Sequence, residues 1–413
     1  MRHAFLPDII SRVPAFFARP WNRPARRRTI PAAAPPGRTA NQELPIKTSA
    51  LQFDLPPDRI AQYPCEPRDA ARLMVLDRAS GRIAHHIFRD LPGFLRPTDC
   101  VVLNTTRVIP ARFPLRRGTG GRIDALFVGQ PAPGRWSVML AGAGRLRAGE
   151  ELHLASRAGG DVASSGLTTG SGPPLPPAPC RFTFLRHIER GLCELRVDPP
   201  ADPLAVLEQI GSAPLPPYIR RDAAGAPARD PQDRCRYQTV YARQPGAVAA
   251  PTAGMHFTDE LLNAIRTRGV SIAEVVLHVG LGTFQPIEVD DLADHHMHPE
   301  RYELTADSAA RIARARPAGG RILAVGTTSV RVLETCAGEA GPVAGAGWTD
   351  IFIHPPYRFR AVDALVTNFH LPGSSLLALV CAFAGRDGIL RAYRCAIEEG
   401  YRFYSYGDAM LIV

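Results

Sequence analysis

The hydrophobic pattern of this chain changes its period near residue 200, and no single type of layer accommodates both parts. Before that point apolar residues alternate in short runs. Ile123–Val128 and Trp136–Leu140 read as half-buried strands, and Leu152-His-Leu154 and Arg181-Phe-Thr-Phe-Leu185 bracket a Gly/Ser/Pro-rich stretch from Ser156 to Pro179. Residues 111–196 therefore read as an all-β module with a mobile loop at 156–179.

After residue 200 strands alternate with helices. Phe257–Arg268 reads as a helix: Thr258 is placed to cap it, Asp259 and Glu260 suit its positive end, and Gly269 stops it. Val270–Val279 follows as a strand, Thr305–Arg316 as a helix, Ile322–Val325 as a strand and Val330–Cys336 as a helix. Ala364–Thr367, Ser374–Ala384, Ile389–Glu399 and Ala409–Val413 continue as strand, helix, helix and strand. With the buried run Cys100-Val-Val-Leu-Asn104, the fold class is α/β: a main α/β domain carrying an inserted all-β domain. The expected division is 1–50 as a disordered basic, Pro-rich extension, 51–110 plus 197–413 as the α/β domain, and 111–196 as the insertion.

Composition narrows the chemistry. Of 49 Lys and Arg residues only Lys47 is lysine. A phosphate loop of the Walker type and Schiff-base or lysine-base catalysis each need a lysine in the folded body, and Lys47 falls in the expected extension. Kinases, P-loop NTPases and lysine-dependent aldolases are thereby excluded. The formal charge of +10 also divides unevenly. Nine basic and two acidic residues in 1–50 give +7, leaving +3 for the body, so a nucleic-acid surface there must be a local patch. The eight cysteines contain no C-x-x-C pair, which argues against a zinc ribbon, an iron–sulfur site or a disulfide framework and for a reducing, cytoplasmic location. No apolar run reaches 18 residues.

In open α/β sheets ligands bind beyond the carboxyl ends of strands, and here those loops are chemically dense. Gly326-Thr-Thr-Ser-Val-Arg331 presents hydroxyls of Thr327, Thr328 and Ser329 and free N–H groups at a helix start, with Arg331 close by; the turn suits a carboxylate or phosphate. It is not a dinucleotide fingerprint, and Gly280-Leu-Gly-Thr-Phe284 lacks the third glycine of one. Seven of the twelve histidines lie between 256 and 370. His256 sits among small residues before a helix cap, where the helix dipole favours its neutral form and makes it the first choice for a general base. His298 with Glu300 is the second. A metal site on His295, His296 and His298 is disfavoured, because no H-E-x-x-H spacing is present. Asn368 and His370, in Asn368-Phe-His370, suit recognition of a heterocyclic base. Tyr357-Arg-Phe-Arg360 and Tyr401-Arg-Phe-Tyr-Ser-Tyr406 read equally as RNA-stacking segments or as ordinary aromatic strands.

Taken in order, these strings resemble the S-adenosylmethionine:tRNA ribosyltransferase-isomerase family of queuosine biosynthesis. The stretches that carry the resemblance include Phe53-Asp-Leu-Pro56, Glu66-Pro-Arg-Asp69, Leu103-Asn…Thr106-Arg-Val-Ile-Pro-Ala-Arg112 and Pro214-Leu-Pro-Pro-Tyr-Ile219. They continue with Ala250-Pro-Thr-Ala-Gly254, His278-Val-Gly, Gly282-Thr-Phe284, Ala324-Val-Gly-Thr-Thr-Ser-Val-Arg331, Thr367-Asn-Phe-His-Leu-Pro372 and Tyr401-Arg-Phe…Ser405-Tyr-Gly-Asp-Ala-Met410. The match runs over about 51–413. It implies an α/β domain with an inserted β-barrel.

The resemblance also implies the reaction. The ribosyl part of S-adenosylmethionine is transferred to 7-aminomethyl-7-deazaguanine at the tRNA wobble position, giving epoxyqueuosine with release of adenine and methionine. S-adenosylmethionine is then a co-substrate, tRNA the partner, and neither metal nor other cofactor is expected. Substrate contacts are expected at Asn104, Arg107, Thr252, Gly254, His278, Gly282 and Thr283, besides the residues named above. The chain departs from the family pattern at Thr105, Gly373, Ala141-Gly-Ala143 and His354-Pro-Pro-Tyr357. A non-catalytic RNA-binding module and a metal-dependent hydrolase are the competing classes.

Overall fold

Continuous apolar runs make strands that are buried on both faces, and four of them form the centre of the larger sheet. Ser271–Leu277, Cys100–Asn104, Ile322–Val325 and Ala364–Asn368 lie side by side in that order, all parallel. Every residue of the last three strands is buried. The computed structural model describes residues 46–155, 180–188, 191–221, 232–280, 287–339 and 341–413. The expected loop at 156–179, the extension up to residue 45, and the site residues Gly282 and Thr283 lie outside the described residues.

The sheet has nine strands and is mixed. Glu300–Leu304 and Gly345–Thr349 extend one side in antiparallel pairing; Ala409–Ile412, Arg72–Leu76 and Ile83–Ile87 extend the other. Of these five outer strands only Ala409–Ile412 is legible in the sequence. Glu300–Leu304, Gly345–Thr349 and Ile83–Ile87 carry polar or small residues at exposed or half-exposed positions and lack the apolar signal of a central strand, whereas Arg72–Leu76 is apolar and buried but short. Cys100–Asn104 precedes its three parallel neighbours in the chain yet sits between two of them. The chain thus goes from it to Ser271–Leu277 on one side and then crosses to Ile322–Val325 on the other, and such a change of direction is the switch point where these sheets open a crevice.

The helices form where their caps predict. The hydroxyls of Thr258, Thr305 and Ser374 accept from the amides of Leu261, Ser308 and Leu377 at 3.1, 3.3 and 3.2 Å, and start Asp259–Thr267, Ala306–Ala315 and Ser375–Ala384. The helix expected at Val330–Cys336 starts a turn earlier, at Thr327, because Gly326 serves as its N-cap.

Among the described residues the chain divides into two compact units, one drawn from 105–251 and 278–280, the other from 46–104, 252–277 and 287–413. The first holds a closed six-stranded barrel. Its strands are Arg112–Arg117, Arg122–Ala132, Arg135–Ala141, Glu151–Leu154, Arg181–His187 and Leu192–Asp198. Their alternation places Phe113, Trp136, Phe182 and Phe184 inside, with the indole of Trp136 edge-on to Phe113 and Phe127. This unit is wider than an insertion of 111–196. Helix Pro203–Ile210 buries Val206 and Leu207 in the barrel's own core, so the chain past 197 stays with the barrel.

The second unit also begins earlier than residue 51. Thr48–Leu51 is a 3₁₀ turn, Thr48 is buried, and Lys47 bridges Asp291 through its backbone. Residues 46–50 thus belong to the fold, and Lys47 is an exposed part of it rather than of a disordered tail.

Candidate active site

The 3₁₀ turn Thr252–His256 brings small residues and a histidine against the carboxyl end of strand Ala364–Asn368. Asn368, the last residue of that strand, is buried, and its amide is engaged at both ends. Its Oδ1 accepts from Thr252 Oγ1 at 2.8 Å, and its Nδ2 lies 3.3 Å from His256 Nε2 and 3.5 Å from the Asp408 carbonyl. An amide N–H donating to Nε2 leaves that nitrogen as the acceptor of a neutral ring. His256 is 6% exposed and stacks obliquely on Phe88 with ring centroids 4.9 Å apart. Burial first, then the charge of Arg402, pushes its pKa down to about 4; a hydrogen bond with the Arg68 backbone opposes the shift and the Arg68 charge adds to it. The ring is therefore neutral above mildly acidic pH.

Composition and spacing alone do not single out the two arginines. Arg402 is oriented by Asp408, whose buried carboxylate also accepts from the amides of Arg402 and Arg72 at 2.8 and 3.1 Å. Arg68 lies in the Glu66-Pro-Arg-Asp69 string, and its guanidinium reaches the Met255 carbonyl at 3.5 Å. The signal for both is their place in strings shared with a family, since no local pattern marks an arginine that acts across the fold.

The turn after Ile322–Val325 keeps part of its expected chemistry. Thr327, Thr328 and Ser329 are buried at the helix start, with Ser329 Oγ donating to the Val325 carbonyl at 2.7 Å. Arg331 takes a different place from the one expected. One turn further along the helix, its guanidinium forms a buried ion pair with Glu300 and reaches the carbonyls of Ile351 and Thr349 at 3.3 and 3.4 Å. Two residues expected to serve separately, Arg331 at an anion and Glu300 at a proton, thus neutralise one another. His298 is half-buried in the loop before strand Glu300–Leu304, beside His295, His296 and His354. Burial, then the charges of His298, His296 and His354, lowers His295 to about 4. Among the described residues no group of three His, Cys, Asp or Glu side chains is placed to hold a metal ion.

His370 points inward. Its Nε2 is 2.7 Å from Thr367 Oγ1, its backbone amide donates to Tyr393 Oη at 2.9 Å, and burial lowers its pKa to about 3. Asn104 is likewise tied within the sheet, exchanging two hydrogen bonds of 3.1 Å with the backbone of Leu277. The aromatic strings resolve toward core rather than stacking surface. Tyr401, Phe403 and Tyr406 are buried, and Phe359 packs edge-on to Phe383. Gly254 is buried within the 3₁₀ turn.

In the barrel-containing unit, His278 Nδ1 is 2.9 Å from Thr106 Oγ1. The ring lies so close to Gly246 that a Cβ there would come within 2.8 Å of it, so only glycine allows this approach. Arg107 is half-buried, with a loose ion pair of 3.8 Å to Glu208.

Comparison with known proteins agrees in one direction. Residues 48–412 match the family described as Queuosine biosynthesis protein. A protein of Symbiobacterium thermophilum named S-adenosylmethionine:tRNA ribosyltransferase-isomerase is 49% identical over 370 residues, covering 89% of this chain and 100% of its own length. The protein of the same name from Desulfitobacterium hafniense is 46% identical with the same coverage. The crystal structure of S-adenosylmethionine tRNA ribosyltransferase from Thermotoga maritima, 36% identical, covers 88% of this chain and 100% of its own, with a TM-score of 0.48.

Proposed function

The chain belongs to the queuosine biosynthesis protein family, and we propose that it performs the reaction for which its curated relatives are named, with His256 as the proton acceptor. It is a transferase-isomerase that uses S-adenosylmethionine and tRNA. The ribosyl moiety goes to 7-aminomethyl-7-deazaguanine at the wobble position, and adenine and methionine leave. Similarity over the full length of enzymes so named favours this over a non-catalytic RNA-binding module. The reaction takes place where tRNA is modified, in the cytoplasm. S-adenosylmethionine is consumed as co-substrate, and the transfer as written calls for no redox cofactor and no metal.

The sulfonium makes the adjacent C5′ proton acidic. Its removal lets adenine leave, the substrate amine then adds to the opened sugar, and an alkoxide of that sugar displaces methionine from C5′ as the epoxide closes. The first step needs an unprotonated base in a site that excludes water. The observation that carries His256 is its buried, neutral imidazole with Nε2 oriented as an acceptor by Asn368. The 3.3 Å contact is long for a hydrogen bond, so a substrate C–H can compete for that lone pair. The Glu300 carboxylate is held by Arg331 in a buried ion pair instead, and His298 is the remaining alternative base. Asn368 and Thr252 orient His256, whereas Arg107 and His278 serve the tRNA side.

Replacing His256 by Gln keeps a polar side chain and removes the base. Single-turnover kcat should fall by about 10²–10⁴, the usual contribution of a positioned base, with tRNA affinity unchanged. Isotope washout from C5′ of S-adenosylmethionine in the presence of tRNA reads the step directly. A variant that exchanges this proton at the parental rate would transfer the role to His298.

A further inference from the structure

Helix Thr327–Thr335 begins at the carboxyl end of a central parallel strand, at a glycine whose backbone only glycine readily adopts, with φ +84° and ψ 152°. The Gly326 carbonyl accepts from the amides of Ser329 and Val330 at 3.1 and 3.3 Å. The amides of Thr327 and Thr328 stand at the open first turn, where a helix has no carbonyl to offer.

A second observation is independent of the helix end. Thr328 is 8% exposed, and its Oγ1 is fully buried with no hydrogen-bond partner among the described residues. Burying a hydroxyl without a partner is costly, which makes such a group in a native fold a pointer to something that binds there. Its direction is defined by Gly326. The space that a Cβ on Gly326 would take is bounded by Thr328 Oγ1 at 3.5 Å, by the Thr328 amide nitrogen at 4.0 Å and by Ala253 Cβ at 3.8 Å. Two donors thus face one small recess, and its third wall belongs to the turn that ends in His256.

We propose that this recess, formed by Gly326, the first two amides of helix Thr327–Thr335 and the Thr328 hydroxyl, binds the α-carboxylate of the methionine part of S-adenosylmethionine. The assignment rests on the reaction proposed above and names the group that this part of the site holds. A carboxylate fits for three reasons. Donors on adjacent backbone positions match two oxygens of a planar anion, and the helix dipole favours its charge. The recess is walled by buried residues, whereas a tRNA phosphodiester is normally met by exposed arginines. Finally, Arg331, the nearest arginine along the helix, is committed to Glu300, so the backbone and the hydroxyl provide the recognition.

Calorimetric binding of S-adenosylmethionine is compared with that of its decarboxylated analogue, which keeps the adenosyl sulfonium and the amine. The wild-type protein should prefer the carboxylated form by at least about tenfold. Thr328→Val, which keeps shape and removes the hydroxyl, should weaken S-adenosylmethionine by about fivefold to tenfold and leave the analogue within twofold; Thr328→Ser should restore the preference. Equal affinity of the wild type for both ligands, or equal weakening of both by Thr328→Val, overturns the assignment. So does a Thr328→Val variant that loses tRNA affinity while keeping the S-adenosylmethionine preference, which would point to a phosphate. If Thr328→Val does not fold, amide shifts in ¹⁵N spectra of the wild type decide. Thr327 and Thr328 should move with S-adenosylmethionine and not with its analogue, and their failure to do so overturns the proposal. A wild type that binds neither ligand would instead remove the reaction on which it rests.

Discussion

At the scale of single residues, three histidines are held neutral by burial: His256 and His295 down to about 4, and His370 to about 3, against an ordinary value near 6.5. The unfolded chain binds protons at these rings between pH 6.5 and their folded values, and the folded chain does not. Their neutral burial therefore costs no stability above about pH 6.5, and stability is lost as pH falls from there toward 4 and 3. At full effect the fully buried rings of His256 and His370 each contribute about 1.4 kcal/mol per pH unit, and the partly exposed His295 less. Urea unfolding between pH 7.5 and 4.5 should show a falling midpoint, and His370→Gln should flatten that fall. Identical slopes for the variant and its parent would mean that His370 titrates in the folded state as it does in the unfolded one.

Individual elements are held together by a few buried polar contacts. The ion pair of Arg331 and Glu300 joins helix Thr327–Thr335 to strand Glu300–Leu304, with both side chains about 5% exposed or less. A buried pair contributes little against an apolar replacement, but leaving one partner alone is expensive. Glu300→Gln should therefore destabilise the protein by about 3–5 kcal/mol, and the double variant Glu300→Leu with Arg331→Met should recover most of that loss. Chemical denaturation of the three proteins checks both statements; a Glu300→Gln midpoint equal to wild type would refute the pair's structural role. The helix was legible in the sequence, and the strand that it is paired to was not. In Glu300-Arg-Tyr-Glu-Leu304 only two of the five residues are buried, Glu300 and Leu304. Glu300 is one of the strand's charged residues, and no rule of alternation anticipates a buried carboxylate.

For the whole molecule, the question is how an almost balanced body meets a polyanion. Arg116 and Arg122 lie directly opposite one another on adjacent barrel strands, both exposed. Like charges so placed repel, and a phosphate between them would relieve this. Arg117 next to them is already paired with Glu150 at 2.6 and 2.9 Å. Arg116→Glu should thus raise KM for tRNA severalfold while KM for S-adenosylmethionine changes little, and the dependence of tRNA binding on salt should become shallower. Equal effects on both substrates would count against the barrel as a tRNA surface.

The sequence by itself determined the class of fold, the interruption of an α/β sheet by a β module, the helix starts at Thr258, Thr305 and Ser374, and the loops that carry the candidate site. All of these follow from local periodicity, capping hydroxyls and glycines, which act within a few residues of one another. Its ordered family strings also pointed to the family and so to the reaction proposed above. Tertiary structure alone decided which of the polar residues in those loops are engaged and which remain open. Arg331 turned to Glu300, His256 to Asn368 and Asn104 to Leu277, while the Thr328 hydroxyl was left facing a recess. The physical reason is range. A hydrogen bond or an ion pair between residues 31 to 173 positions apart depends on which strands are neighbours in the sheet, and strand order is not written in the spacing of any one segment.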